Sequence, residues 1–182
     1  MKGVIFNILE EMVIDKCGMM AWNDILDTLG QDGIYTAGKS YPDDKLFALV
    51  GEVSARLELP PETVVGAFGE FLFDQLARRY PVFLETQPTL KGFLKSIDSV
   101  IHVEVRKLYE SPDLPSIICH EPDDHTLVME YRSPRQLCLL AEGLIRGAAS
   151  RYNEPIEMTH PVCTHQGADH CDLIIRFNGQ TA

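Results

Sequence analysis

Basic residues are scarce in this chain: 16 Lys and Arg stand against 27 Asp and Glu, for a formal net charge of -11. Nucleic-acid affinity rests largely on Lys and Arg neutralising phosphates, so no nucleic-acid partner is expected. An acidic exterior also disfavours anionic membrane surfaces, and no apolar run approaches the roughly 20 residues of a membrane span. Val4-Ile5-Phe6 is soon interrupted by Asn7, Glu10 and Glu11, so no export signal is legible and a bacterial-type cytoplasmic protein is expected. A phosphate-binding Gly loop, a carboxylate pair with a clear role and a nucleophile-base arrangement are all missing, which argues against an enzyme. There is no internal repeat and no low-complexity segment. The five cysteines read as thiols or metal ligands rather than a disulfide framework. What is present is a 182-residue chain, 45% hydrophobic, long enough for a substantial core.

The first two-thirds carry helical periodicity. Val4, Ile5, Ile8, Leu9, Met12 and Val13 mark a first helix ending near Gly18, and Trp22 to Leu29 a second. Pro42-Asp43-Asp44 opens a third through Leu57, and Pro60-Pro61-Glu62 a fourth to Tyr80. From Pro88 the stripe Leu90, Phe93, Leu94, Ile97, Ile101, Val105 and Leu108 predicts a fifth, ending before Ser111-Pro112. The period then falls to 2: Ile117 to His120 and Thr126 to Tyr131 read as strands around a Glu121–Asp124 hairpin loop, and Pro155 to Cys163 and His170 to Phe177 as two more. Ser133-Pro134 with Gln136 reads as a capping box opening a helix to about Tyr152. The expectation is α+β: a helical N-terminal part packed on an antiparallel sheet of about four strands with one long helix.

In extended backbone Tyr131, Ser133 and Arg135 point to one face. Two hydroxyls and a guanidinium fork suit an anion such as a carboxylate, unless they are merely a sheet residue, a cap and a surface arginine. His102 sits inside the fifth apolar stripe. It is either a satisfied core histidine or an axial ligand to a haem iron, whose propionates the Tyr131, Ser133 and Arg135 cluster would hold.

Tyr131-x-Ser133-x-Arg135, His102 29 residues upstream and the opening Met1-Lys2-Gly3-Val4-Ile5-Phe6-Asn7 together resemble the haem-nitric oxide/oxygen binding (H-NOX) family over essentially the whole chain. The resemblance implies a single domain over 1–182, with a distal helical part over about 1–60, a proximal helix plus sheet part over about 61–182, and haem b between them. It implies His102 as proximal iron ligand, Tyr131, Ser133 and Arg135 on the propionates, and Pro115 pressing on the macrocycle. Members that hold oxygen stably carry a distal tyrosine where this chain has Leu140, so the sequence resembles the nitric-oxide-selective branch. Ile5, Leu9 and Leu144 complete the expected distal wall, although Leu and Ile at helical spacing are equally explained as core. Nitric oxide and carbon monoxide are expected ligands, with no stable dioxygen complex. Weakening of the His102 bond would let the helical part rotate on the sheet part, signalling in trans to a histidine kinase or cyclic-di-GMP enzyme.

Cys138, His160, Cys163 and Cys171 have the types and spacing of a closed zinc shell, with His165 and His170 as possible substitutes. A Cys163–Cys171 disulfide or ordinary buried thiols would account for the cysteines too. Cys17 and Cys119 look structural, and His120 and His125 read as surface residues. The alternative function is a haem-free, zinc-containing, small-molecule-binding regulatory domain similar to 4-vinyl reductase domains.

Overall fold

A computed structural model describes residues 1–109 and 112–178; Ser111, at the expected end of the fifth helix, lies outside them. Four helices begin the chain: α1 (Gly3–Cys17), α2 (Met19–Leu29), α3 (Asp43–Leu57) and α4 (Pro61–Arg79). Their apolar stripes, including Phe6, Leu9, Trp22, Leu49 and Phe68, meet in one buried core. Local chemistry sets the ends: α2 stops at left-handed Gly30, Asp43 and Asp44 occupy the first turn of α3, and Pro61 starts α4. A single turn, α5 (Val82–Glu85), follows.

The expected fifth helix is three pieces. α6 (Leu90–Ser96) is capped by the Thr89 side chain, which accepts from Gly92 N. A π-helical turn spans Ile97–Ile101, in which His102 N–H donates to Ile97 O, and α7 (His102–Leu108) continues. The extra residue in that turn shifts the phase of everything after it by about 100°. Leu108, predicted to be core, is 63% exposed.

The remainder is a four-stranded antiparallel sheet in the order β1-β2-β4-β3, built from β1 (Ser116–Asp123), β2 (Thr126–Arg132), β3 (Ile156–Val162) and β4 (Cys171–Phe177). β1 is longer than expected and carries a register shift between His120 and Asp123. Leu127, Met129, Leu173 and Ile175 form the buried face, packed with Ile145, Ala148 and Ala149 of α8 (Cys138–Tyr152). The capping box does not form. Ser133 Oγ accepts from Arg135 N at 3.2 Å, Gln136 N closes a turn on Ser133 O at 3.2 Å, and Gln136 itself is left-handed with φ 52°. The serine caps a tight turn, and α8 starts later without a side-chain cap. The start of α8 meets the cluster at Tyr131, through the backbone of its N-cap residue Leu137, rather than at Ser133.

Helix α8 joins the two cores by touching α4 backbone to backbone. A Cβ on Gly143 would lie 2.2 Å from Gly66 O and 2.8 Å from Gly69 Cα, and one on Gly69 would lie 2.5 Å from Leu140 O. Backbone cannot yield as a side chain can, so Gly143→Ala should overpack the joint by about 1–3 kcal/mol. Its melting temperature should fall by several degrees. Gly51→Ala, at an exposed α3 position with nothing within 4 Å, should be neutral or stabilising in the same scan.

Candidate functional site

A chamber of about 670 Å³ opens between the helical part, α6–α7 and the sheet. α1 contributes Ile5; α4 contributes Phe73 and Leu76, with Tyr80 just after it; β2 contributes Met129 and Tyr131; and α8 contributes Leu140 and Leu144. Pro115, Ser133, Arg135 and His102 line it too. Leu9 does not: it is fully buried in the core of the first four helices. One helical turn beyond Ile5, it faces neighbouring helices rather than the opening. The α4 wall was not singled out from sequence, because an apolar stripe does not say whether it meets core or cavity.

His102 is 8% exposed. Its Nδ1 lies 3.0 Å from Asp98 Oδ1, one turn earlier, a partner visible in the sequence as an i, i+4 carboxylate but not singled out. Burial lowers the pKa of the ring, and Asp98 only partly opposes this. His102 is thus held as a neutral imidazole, with Nδ1–H donating to Asp98 and the lone pair on Nε2.

The second polar group of the chamber gathers at its rim. Burial raises the Tyr131 phenol pKa, while Ser133 and the Leu137 backbone work against it. Arg135 reaches Asp43 at the start of α3, with Nε to Oδ2 at 2.5 Å, and also pairs with Asp113, with its second terminal nitrogen 3.1 Å from Oδ2. The guanidinium expected to take a carboxylate therefore already lies between two of them. Asp43 Oδ1 also receives the N-terminal ammonium at 2.5 Å. Burial pushes the Asp43 carboxyl up, but hydrogen bonds and charge from Arg135 and the ammonium outweigh it and hold the pKa below its ordinary value.

Behind Tyr131 a second constellation closes. Ligand atoms of Cys138, His160, Cys163 and Cys171 all lie within 4.8 Å of one another, with Cys138 Sγ 3.9 Å from Cys163 Sγ. The four come from the first turn of α8, the β3 end, the residue after it and the start of β4. All five thiols of the chain are free. His160 Nδ1 is held by Glu142 Oε1 at 2.7 Å, which leaves its buried Nε2 facing the Cys171 thiol. One imidazole nitrogen and three thiols are a donor set suited to a tetrahedral metal ion. Burial pushes the Cys171 thiol up, yet the Thr164 hydroxyl and amide and His160 outweigh it and bring it to about 7. Burial and the neighbouring Cys171 and Cys163 push Cys138 well up. The substitutes stand elsewhere: His165 Nε2 is 2.9 Å from Gln136 O, and His170 faces Asp169.

A helical unit and a sheet enclosing an apolar chamber, with one buried imidazole and a rim cluster made for carboxylates, define a cofactor-binding module. The chain belongs to the Haem-NO-binding family, whose sequence profile matches residues 2–160. An H-NOX protein from S. oneidensis, solved in the Fe(II)NO ligation state, is 43% identical, with 98% of this chain and 100% of that chain covered and a TM-score of 0.94. The Fe(II) unliganded H-NOX protein from K. algicida is 27% identical over 100% and 99% of the two chains, with a TM-score of 0.90. Soluble guanylate cyclase gcy-35 of Caenorhabditis elegans is 28% identical over 165 residues; the match takes in 83% of this chain but 23% of the cyclase. No helix among the described residues is long and apolar enough to cross a membrane.

The lowered Asp43 pKa sets a pH dependence. A depressed carboxylate contributes stability above its unfolded pKa, near 3.9, and loses it as pH falls through that value towards the folded one. Asp43→Asn should cost on the order of 1 kcal/mol at about pH 7 after solvent screening. The difference from wild type should be smaller at about pH 3 than at about pH 7. Urea midpoints at the two pH values measure this.

Proposed function

We propose that this chain is a haem-based nitric oxide sensor, not an enzyme, with His102 as the protein ligand to the iron, acting on a separate signalling enzyme. The observation that carries the reading is the neutral, Asp98-bound His102 in an apolar chamber whose rim holds Tyr131, Ser133 and Arg135. These residues fit haem: one imidazole for the iron, apolar walls for the macrocycle, and a guanidinium with two hydroxyls for the propionates. When bound, haem b supplies a ferrous iron that takes up diatomic gases.

The rest is the work of the chain. Asp98 fixes the His102 tautomer and strengthens the ring as a donor. Arg135 exchanges Asp43 and Asp113 for propionate oxygens, charge for charge. Pro115 lines the same chamber and would pack against the macrocycle. Leu140, Leu144 and Ile5 form the distal wall. Leu140 offers no hydrogen bond, which disfavours dioxygen with its partial negative charge and leaves nitric oxide and carbon monoxide unaffected. His102 tethers α7 to the cofactor, and its hold or release biases the helical part against the sheet part. A histidine kinase or cyclic-di-GMP enzyme in trans would read that state; the guanylate cyclase relative supports a signalling output.

We assign Cys138, His160, Cys163 and Cys171 to one structural zinc ion. The support is the closed four-ligand set, the buried His160 Nε2 turned to the thiols and the Glu142 carboxylate that orients the ring.

Absorption spectra test the sensor reading. The ferrous protein should show a Soret band that shifts with nitric oxide and carbon monoxide and forms no air-stable oxygen complex, whereas Leu140→Tyr should gain one. A colourless protein that cannot be loaded with haem would instead favour a haem-free regulatory domain. Metal analysis tests the second site: freshly reduced protein should hold about one zinc per chain. Cys171→Ser should lose it and melt several degrees lower.

A further inference from the structure

The outer face of the sheet carries metal-ligand types that the sensor reading leaves unused. Alternation along β1, β2 and β4 sends His120, Glu130 and Asp172 outward, opposite to Cys119, Met129 and Cys171, and His170 precedes β4 on the outward phase. Glu130 and Asp172 are direct partners across β2 and β4. Like charges in direct opposition destabilise a sheet, a cost that Arg132 on Glu130 offsets in part and that a bound cation would offset further.

The geometry supplies a place for it. One ligand atom each from Glu130, His170 and Asp172 lie within 4.8 Å of one another. These residues line a groove together with His120. His170 is oriented from behind, with Nδ1 2.6 Å from Asp169 Oδ1 and Nε2 turned to Asp172 Oδ1 at 3.4 Å. A carboxylate behind a histidine that presents its other nitrogen to shared ligands is the outer-shell arrangement of metal sites. Arg132 Nε holds Glu130 Oε1 at 2.7 Å, while Glu130 Oε2 lies 3.8 Å from His120 Nε2. The Glu130, His170 and Asp172 side chains are only 19%, 23% and 26% exposed. That distinguishes the group from a freely solvated set of surface charges.

We propose that Glu130, His170 and Asp172 form a second divalent transition-metal site, with His120 as a fourth ligand from the β1 arm and Asp169 as the outer-shell support of His170. Imidazole with carboxylates suits borderline ions such as Zn2+, and a set without thiolates leaves positions for water and for exchange. β4 would then serve one metal group from each face, Cys171 inward and His170 with Asp172 outward. The site stands independently of the haem reading.

The test counts Zn2+ bound to the reduced full chain in equilibrium dialysis and compares variants, so the difference reports this site whatever the thiol cluster takes up. Glu130→Gln/Asp172→Asn should bind one equivalent fewer than wild type. In thermal scans wild type should gain a Zn2+-dependent rise in melting temperature larger than that of the variant. Asp169→Asn, which keeps every ligand, should weaken that equivalent about tenfold or more. Identical stoichiometry and affinity in wild type and both variants would overturn the site, leaving Arg132 and the histidines as the only charges that offset Glu130 and Asp172.

Discussion

Everything described above depends on α8 lying against α4 at backbone distance. Gly66 and Gly69 on one helix and Gly143 on the other allow an approach that a single methyl would block. α8 thereby belongs to the helical core through Leu140 and Leu144 and to the sheet core through Ile145, Ala148 and Ala149. Its other positions serve both polar constellations: Cys138 lies in the thiol cluster, Glu142 orients His160, and Arg146 pairs with Glu70 of α4. The proposed movement of the helical part against the sheet part would turn on this joint, because close-packed interfaces switch between discrete arrangements rather than deform continuously.

The two inner constellations are neighbours. Tyr131 pairs with Cys171 across β2 and β4 and shares a buried cluster with Cys138, Cys163 and Cys171. A change in sulfur geometry would therefore press on the residue assigned to a propionate. Two arginines of this acidic chain tie separate elements together. Arg135 links the turn before α8 to Asp43 of α3, and Arg79 links α4 to Glu11 of α1. Arg135 is consequently both a structural tie and the proposed propionate partner, roles that share one requirement, an oxygen anion in its fork.

Much of the architecture was legible as local pattern: the helices, the change from period 3.6 to period 2 after Leu108, and the α+β order. The failures have local causes as well. The π turn escaped because apolar residues at Ile97, Val100 and Ile101 satisfy either phase of a helix. The capping box failed because a left-handed Gln136 redirected Ser133 to its own turn. Leu9 was assigned to the chamber wall because periodicity identifies a buried face without saying what buries it. At the thiol cluster the residue types and the His160-x-x-Cys163 spacing pointed to His160, with His165 and His170 as substitutes, and the structure brings His160 to the three cysteines.

The sequence by itself determined the elements, the acidic surface and the chemical types of both inner constellations, because periodicity, caps and residue chemistry act over a few neighbouring positions. Only the tertiary structure decided that Arg135 meets Asp43 and Asp113, that His160 turns a buried nitrogen to three thiols, and that Glu130 faces Asp172 beneath His170. Those juxtapositions follow from strand register and from two helices packed without side chains between them. They are long-range constraints that no local pattern contains.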